Sequence, residues 1–453
     1  MVVKLDNASE YRYLLSVKEI CTMQTEIVHS NLKPVTFVVI GAGSRGLTYS
    51  RFALQHPDRA KVVGVAEPRD SRRESFVRQH DISAKNIFLD WQELADAPKI
   101  ADVAIISTQD ALHTEPAIAM AKKGYHILLE KPMAPSAKDC FRIVDSIQKT
   151  GVFLAVCHVL RYTAYTKMLK EIIDSGAIGE VVSVDHLEPI GYWHFAHSYV
   201  RGNWRNEALS SSMLLAKSCH DLDWLRYIVG TQCKKVSSFG GLYYFRADKK
   251  PIGAKERCLD CPIEEQCPYS AKSFYLGLIR QNKLDWPTNI ITSELTNEGV
   301  IEALQNGPYG RCVWLCDNNV CDHQVVNMEF SEGQTASFTV TAFTEARDRQ
   351  TRVFGTAGEI RGNGENIEIF DFLTGQIKRI ETNSKSDGSI LSGHGGGDYG
   401  IMDAYTTAVA RNDSNLILSG PKESLETHLM VFASEKSRNE NRMVNIREMH
   451  DCK

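Results

Sequence analysis

Residues 36–46 read Thr-Phe-Val-Val-Ile-Gly-Ala-Gly-Ser-Arg-Gly. A β-branched apolar run, typical of a buried strand, leads directly into glycines at positions 41, 43 and 46. With this spacing, the first glycine permits a tight turn, the second lets the backbone approach a pyrophosphate, and the third lets a helix pack closely on its strand. The stretch therefore predicts the phosphate-binding turn of a dinucleotide-binding βαβ unit, with the N–H groups of the helix N-terminus facing the phosphates.

A second strand, Lys61–Ala66, ends at Glu67, about 20 residues beyond the last glycine, where the motif places an acid for the ribose hydroxyls. A carboxylate at this point favours NAD because it repels a 2′-phosphate. Arg69, Arg72 and Arg73 follow at once, and an arginine there can bind that phosphate. We expect NAD as the cofactor, with NADP as the alternative.

The composition is that of an ordinary globular protein: the chain has 453 residues, of which 43% are hydrophobic and 24% charged, and a net charge of −4. This charge gives no reason to expect nucleic acid or an anionic membrane as a partner, so a small molecule is the expected ligand. Lys4, Asp6 and Glu10 interrupt the region where a signal peptide would need an apolar core, and no apolar run approaches the ~18 residues of a membrane-spanning helix. We expect a cytoplasmic protein with reduced or metal-bound cysteines.

The pattern of strands and helices divides the chain. An N-terminal extension (1–33) precedes alternating strands and helices over 34–157, which predict a Rossmann domain with a doubly wound parallel sheet. Residues 158–440 predict an α+β domain with helices at Tyr165–Ser175 and Leu214–Ile228 and a largely antiparallel open sheet. This domain carries a cysteine-rich insertion over 246–322. The predicted class is α/β, and the Ser- and Gly-rich stretch 382–397 is expected to be a loop.

Polar residues follow several predicted strands of the first domain, at the edge where ligands of such sheets bind. They are Thr108, Glu130, Lys131 and His158. Oxidation of an alcohol by hydride transfer needs a base for the proton and a cation or donor for the developing alkoxide. Lys131 is our first catalytic candidate, the alternative being an exposed lysine beside a turn. His220 is the second because imidazole titrates near neutral pH, the alternative being a structural histidine.

Taken together, five segments resemble the Gfo/Idh/MocA family, the glucose-fructose oxidoreductase and inositol dehydrogenase group: Gly41–Gly46, Glu67, the Thr108/His113 segment, Glu130-Lys131-Pro132 and His220-Asp-Leu-Asp223. The resemblance covers residues 35–245 by motif and most of the remaining chain by architecture. It implies a Rossmann domain joined to an open antiparallel sheet, and NAD(P)-dependent oxidation or reduction of a sugar or cyclitol hydroxyl.

The resemblance also implies roles for single residues. Lys131 would contact both substrate and nicotinamide, and His220 would relay the substrate proton. Family members commonly carry an Asp four residues before this histidine, whereas this chain has Ala216; Lys217 is the candidate polar substitute. The cofactor-binding candidates are Gly41, Gly43, Ser44, Arg45, Gly46, Glu67, Arg69, Thr108, His113, Glu130 and Lys131. The substrate candidates are Arg161, Tyr162, Trp204, Arg205, Asp223 and His394, for which core packing, a helix cap or a loop position are the alternatives.

The cysteine-rich insertion contains Cys258, Cys261 and Cys267, which have the close spacing of a thiolate metal site. Cys316 is our choice of fourth ligand, with Cys312, Cys321 and His323 as the alternatives. Structural zinc and unliganded thiols are the two leading interpretations.

Three functions follow as hypotheses. The first is a dehydrogenase acting on a hydroxyl or keto group of a sugar, sugar derivative or cyclitol. The second, suggested by His394 within Ser392-Gly-His394-Gly-Gly-Gly-Asp398, is glycoside cleavage through transient oxidation by bound NAD. The third is a non-catalytic dinucleotide-binding protein. By analogy with the family, we expect a homo-oligomer, dimer or tetramer, formed through the second sheet.

Overall fold

The structure is a computed structural model that describes residues 33–382 and 394–452. The predicted N-terminal extension therefore lies almost wholly outside the described residues, and the predicted loop over 382–397 is described only at its two ends. The described chain forms a six-stranded and a nine-stranded sheet, which confirms the predicted α/β class. Within these two ranges, no helix is both long and apolar enough to cross a bilayer.

The first sheet is entirely parallel and has the strand order β3-β2-β1-β4-β5-β6. Its strands are β1 (Val35–Ile40), β2 (Ala60–Ala66), β3 (Ile87–Phe88), β4 (Val103–Ile106), β5 (His126–Leu129) and β6 (Leu154–Val156). Its helices are α1 (Ser44–Gln55), α2 (Asp70–His80), α3 (Trp91–Asp96), α4 (Thr114–Lys122) and α5 (Ala137–Thr150). Strand order reverses between β1 and β4, so the binding crevice of this sheet opens at their carboxyl ends.

Helix α5 shows how local sequence sets these elements. Ser136 caps its first turn by accepting a hydrogen bond from the Asp139 backbone N–H at 3.1 Å, and Gly151 ends it with a φ of 71°. Between these limits the buried face carries Cys140, Phe141, Ile143, Val144 and Ile147, the spacing of an amphipathic helix.

The second sheet has the order β14-β13-β12-β11-β7-β10-β9-β8-β15, in which only the β7–β10 pair is parallel. Its strands are β7 (Val181–Pro189), β8 (Cys233–Gly241), β9 (His323–Phe330), β10 (Thr335–Thr341), β11 (Gln350–Gly355), β12 (Gly358–Gly362), β13 (Asn366–Asp371), β14 (Ile377–Glu381) and β15 (Val444–Asn445). The helices of this half are α6 (Ala164–Asp174), α7 (Tyr192–Phe195), α8 (Met213–Ala216), α9 (Cys219–Val229), α10 (Ala271–Arg280), α11 (Thr288–Ile291), α12 (Asn297–Asn306), α13 (Gly397–Arg411) and α14 (Pro421–Glu440).

Two details differ from the prediction. The helix expected over Leu214–Ile228 is divided into α8 and α9, with Lys217 and Ser218 at the break. The chain also returns to the first sheet near its end: Ile401 and Tyr405 of α13 belong to the same apolar core as β1, and the Tyr405 hydroxyl donates to the Ile127 carbonyl at 2.7 Å. The first sheet, predicted from residues 34–157, is therefore also packed against α13, which comes from a distant part of the sequence.

Candidate active site

The turn after β1 has the geometry that its glycines predicted. Gly41 has a φ of 91°, and a Cβ there would lie 2.8 Å from the Ser107 carbonyl oxygen. A Cβ at Gly46 would lie 2.2 Å from the Gly41 carbonyl oxygen, which only glycine avoids. Because α1 begins at Ser44, its N-terminal N–H groups face the space above the turn. This cradle fits a pyrophosphate.

Glu67 at the end of β2 is completely buried and turned toward the glycine turn. Its carboxylate accepts hydrogen bonds from the Ala42 N–H at 2.9 Å and from Arg69 Nε at 2.7 Å. Burial alone would raise the pKa of Glu67, but these hydrogen bonds outweigh it and lower the pKa. Arg72 lies close to Gly43, where an added Cβ would be 3.5 Å from its Nη1. The acid and the arginines predicted to choose between the two dinucleotides thus border one turn.

Arg45 and Glu130, both predicted to bind the cofactor, bind each other. Arg45 Nε lies 2.5 Å from Glu130 Oε1, and the same guanidinium forms an ion pair with the buried Asp398 of α13. Glu130 also accepts from the Tyr49 hydroxyl at 2.9 Å. Burial raises the pKa of Glu130, but the Arg45 charge is among the effects that lower it overall. Asp398 in turn contacts His394 Nδ1 at 3.2 Å, so this network reaches from the crevice to His394.

Lys131 and His220 lie together at the crevice. Lys131 Nζ donates to the backbone carbonyl of Ala216 at 2.6 Å, at the end of α8. His220, in the first turn of α9, is 4% exposed, and its Nδ1 has no hydrogen-bond partner. Burial is the largest cause that lowers the pKa of His220 well below its ordinary value, and the positive charge of Lys131 is the second largest. The ring of His394 is centred 5.8 Å from that of His220, so a neutral base, an ammonium and a second imidazole share one site.

Lys217 joins this site through a network of alternating charges. Its Nζ lies 3.1 Å from Glu188 Oε1, and Arg349 Nη2 lies 2.9 Å from the other oxygen of Glu188. Arg349 Nε also donates to Asp221, whose Oδ1 lies 3.3 Å from His186 Nε2. The buried carboxylates of Glu188 and Asp221 therefore balance the charges of Lys217 and Arg349.

Arg161, Tyr162 and Asp223, predicted as substrate contacts, are bonded within the interior. Arg161 and Asp223 form a buried two-point ion pair at 2.7 Å for both contacts. The Tyr162 hydroxyl accepts from the Leu418 N–H at 2.9 Å and contacts Ser419 Oγ at 3.1 Å. Their polar groups hold the segment after β6 to α9 and to the chain before α14, so the geometry does not support substrate contact by these three residues.

The remaining predicted residues are placed differently. Arg205 Nε forms an ion pair with Asp317 of the insertion at 2.8 Å, beside the 38%-exposed Trp204. These partners offer no support for a substrate role. His113 is fully buried; its Nδ1 lies 2.8 Å from the Pro132 carbonyl and its Nε2 lies 3.2 Å from the Thr108 carbonyl. It braces the two loops that border the crevice.

The predicted zinc site receives no support. In the described ranges, no three His, Cys, Asp or Glu side chains are arranged to hold a metal ion. Cys258, Cys261 and Cys267 line a small cavity of about 20 Å³ together with Cys312. Cys316 lies outside that lining, and its Sγ faces the Cys312 carbonyl at 3.3 Å.

A larger cavity of about 250 Å³ borders His394, and we call it the His394 cavity. Its wall includes Trp224, His186 and Arg349, and its exposed rim includes Asp348 and Glu365. Sequence reasoning missed Arg349, Glu188 and Asp221. Glu188, near the end of β7, offered a signal, because a charged residue on the buried face of a strand needs a partner.

The sequence matches two family models over most of its length. The oxidoreductase family with an NAD-binding Rossmann fold (GFO_IDH_MocA) matches residues 35–158, and the corresponding C-terminal α/β domain matches residues 170–446. This chain belongs to the Gfo/Idh/MocA oxidoreductase family, and its first domain is the family's NAD-binding domain.

Individual relatives are distant. The chain is 28% identical to 2,7-anhydro-N-acetylneuraminate hydratase of Escherichia coli (strain K12) over 46% of its own length and 53% of that protein. It is 26% identical to myo-inositol 2-dehydrogenase of Thermotoga maritima over 45% of its length and 58% of that protein. These alignments thus span little more than half of either relative. A levoglucosan dehydrogenase solved with NADH and levoglucosan shares the fold, with a TM-score of 0.67 at 18% identity, covering 91% of this chain and 99% of that one.

Proposed function

We propose that this protein is an NAD(P)-dependent oxidoreductase that transfers hydride between a nicotinamide and a C–OH carbon of a sugar, sugar derivative or cyclitol. The observation that carries the proposal is the meeting of Lys131 and His220 at the carboxyl edge of the parallel sheet, next to the glycine turn. Family membership and the activities of the relatives support it.

In the proposed reaction Lys131 exchanges its hydrogen bond to Ala216 for one to the substrate hydroxyl and stabilises the developing alkoxide. His220, neutral because its pKa is lowered, accepts the hydroxyl proton. Bound nicotinamide supplies the hydride acceptor. Lys217, held by Glu188, is the candidate for a second donor to the substrate.

We propose NAD rather than NADP as the preferred cofactor because the buried Glu67 carboxylate occupies the ribose end of the turn. Glu67→Ser removes the negative charge while Arg69 and Arg72 remain. The kcat/KM ratio for NAD over NADP is expected to fall by at least ~10-fold in this variant. An unchanged ratio would contradict the assignment.

The basic test of the function is NAD reduction, followed at 340 nm, with a panel of neutral sugars, sugar acids and cyclitols. Turnover that is lost in Lys131→Met, while NADH still binds, supports the proposal. NADH binding by a wild-type protein that oxidises no member of the panel favours a redox-neutral or non-catalytic function.

Redox-assisted glycoside cleavage is the second candidate, and a specific observation favours it. His394 lies 5.8 Å from His220 and is held by Asp398, which supplies a second imidazole for removing a C–H proton after oxidation. The relative named as a hydratase is consistent with such chemistry, although it is only 28% identical. This function predicts glycoside cleavage with no net NADH and exchange of a ring C–H with deuterium from D₂O.

We further propose that the protein forms a homo-oligomer through the outer face of the second sheet. Phe239 of β8 is 65% exposed there. Exposed apolar side chains on a sheet face are typical of an interface between subunits. Light scattering after size-exclusion chromatography tests this: a Phe239→Lys variant should shift a dimer or tetramer toward the monomer.

A further inference from the structure

The His394 cavity has an unusual charge distribution. Arg349 lies in its wall. The carboxylates of Glu188 and Asp221 already balance the positive charges of this guanidinium and of the Lys217 ammonium. The rim adds two more carboxylates, Asp348 and Glu365. Neither rim carboxylate forms an ion pair within the parts of the chain that the structure describes.

Arg349 still has hydrogen-bonding capacity. Its Nε donates to Asp221 and its Nη2 lies 2.9 Å from Glu188, while Nη1 is bonded to neither carboxylate. A guanidinium that is fixed and neutralised in this way suits an uncharged oxygen as acceptor, because a further anion gains little attraction from it. The rim carboxylates would also repel an anion.

The cavity also provides an apolar surface. Trp224 and His186 lie in its wall, stacked with ring centroids 4.7 Å apart, and both are fixed in place by hydrogen bonds to threonines, Trp224 to Thr166 and His186 to Thr351. These two rings are 2% and 3% exposed, so they stiffen the wall, and the fixed polar groups beside it are of the kind that binding sites for small polar ligands use. The volume of about 250 Å³ lies just below the ~300 Å³ at which typical small-molecule pockets begin.

His394 joins the cavity to the catalytic candidates. It lines the cavity and its ring centre is 5.8 Å from that of His220. Lys131, Lys217 and His220 themselves are not part of the cavity lining. A substrate whose reacting carbon lies at His220 would therefore have to extend past His394 to fill the cavity.

We propose that the His394 cavity is a subsite for a second, uncharged sugar ring, so that neutral disaccharides and other neutral glycosides bind better than single sugars. This inference rests on the proposed function and specifies its substrate class. The site discriminates against a uronic acid at this position, because the rim carboxylates of Asp348 and Glu365 repel a further carboxylate.

Binding calorimetry on the NADH-loaded full-length protein tests the subsite without requiring turnover. The probes are glucose, galactose and N-acetylglucosamine, neutral disaccharides built from them, and disaccharides of the same linkages in which the distal ring is a uronic acid. A neutral disaccharide is expected to bind at least ~10-fold more tightly than its single ring and than its uronic counterpart, about 1.4 kcal/mol or more.

Glu365→Lys is the diagnostic variant, since it replaces an exposed rim carboxylate by a cation. It should improve binding of the uronic disaccharide relative to the neutral one by roughly 10-fold. Glu368→Lys is the matched control, because Glu368 lies on the neighbouring strand β13 and outside the cavity lining, where it pairs with Arg379. It should leave that ratio unchanged.

Equal affinity for a disaccharide and its single ring, tighter binding of the uronic form, or the same response to both lysine variants would overturn the subsite. Binding of neutral disaccharides without any hydride transfer would support the subsite and count against the dehydrogenase function instead. Binding of NADH but of no sugar at all would contradict both.

Discussion

The side-chain ammonium of Lys131 lies 2.6 Å from the backbone carbonyl oxygen of Ala216. This contact joins the end of a strand in the first sheet to the break between α8 and α9, and thereby fixes the lysine next to His220. A carboxylate at position 216 would have been a charged partner for either group. With alanine there, the lysine is held by a single carbonyl that a substrate hydroxyl can replace.

Replacing Lys131 by Met should remove the donor to the alkoxide while keeping most of the side-chain volume. We expect kcat to fall by at least ~10²-fold, the scale on which a single stabilising donor acts, with the Kd for NADH changed by less than ~3-fold. Steady-state kinetics and NADH fluorescence titration measure the two quantities. Loss of NADH binding in parallel with activity would instead place Lys131 in the cofactor site.

The pH dependence should report His220. Oxidation needs its neutral form, and burial together with the Lys131 charge lowers its pKa. The rate of sugar oxidation should therefore not fall as the pH drops from 8 to about 6.5, the ordinary histidine pKa, and should decline only below it. His220→Asn should lower the rate by ~10²–10⁴-fold.

Lys131→Met gives an independent check of the same coupling. Removing the neighbouring charge should raise the pKa of His220, measured by NMR titration of ring-labelled histidine. A pKa that is the same in both proteins would show that the lysine does not act on the imidazole.

The Arg161–Asp223 ion pair is expected to support the fold. Both side chains are at least 97% buried, so Asp223→Asn leaves a buried guanidinium without its counter-ion. The free energy of unfolding should fall by ~3–5 kcal/mol, measured by urea denaturation. Glu368→Gln, which breaks the exposed pair with Arg379, should cost ~0–1 kcal/mol. A stable Asp223→Asn protein with impaired sugar binding would restore the predicted substrate role.

Acid should destabilise the protein through two buried histidines. Burial lowers the pKa of His158 to about 4 and that of His428 to about 3. In the unfolded chain the pKa of each histidine is near 6.5. Between this pH and the lower pKa of the folded state, the unfolded state binds more protons than the folded state, so the free energy of unfolding falls as the pH falls. Each histidine should cost on the order of 2 kcal/mol by pH 5.

His158→Asn isolates one of these contributions. The loss of unfolding free energy between pH 7 and pH 5 should be smaller in this variant than in the wild type by on the order of 2 kcal/mol. An identical loss in the two proteins would show that His158 is not buried in its neutral form.

The parts of the site that were predictable from sequence depend on backbone and on local spacing. The turn at Gly41 and Gly46 could be predicted because only glycine fits it, and Lys131 could be proposed because it lies two residues after β5, whose carboxyl end faces the crevice. These constraints operate within a few residues of chain, where sequence patterns are informative.

The rest depends on contacts between distant segments. Arg161 had the residue type of a substrate contact, but its pairing with Asp223 joins positions 62 residues apart. Asp398 completes a network with Arg45 across 353 residues. No periodicity or motif records such pairs, because the distance along the chain does not restrict which charges meet after folding.

The central claim is that the Lys131–His220 site transfers hydride from a sugar carbon. The most direct measurement is to incubate the NAD-loaded protein with sugars and glycosides deuterated at every ring carbon, and to analyse the released cofactor by mass spectrometry. We predict deuterium on the nicotinamide for at least one substrate, acquired at least ~10²-fold more slowly with Lys131→Met. Wild-type protein that binds both NAD and sugar yet never acquires deuterium on the cofactor would contradict the claim.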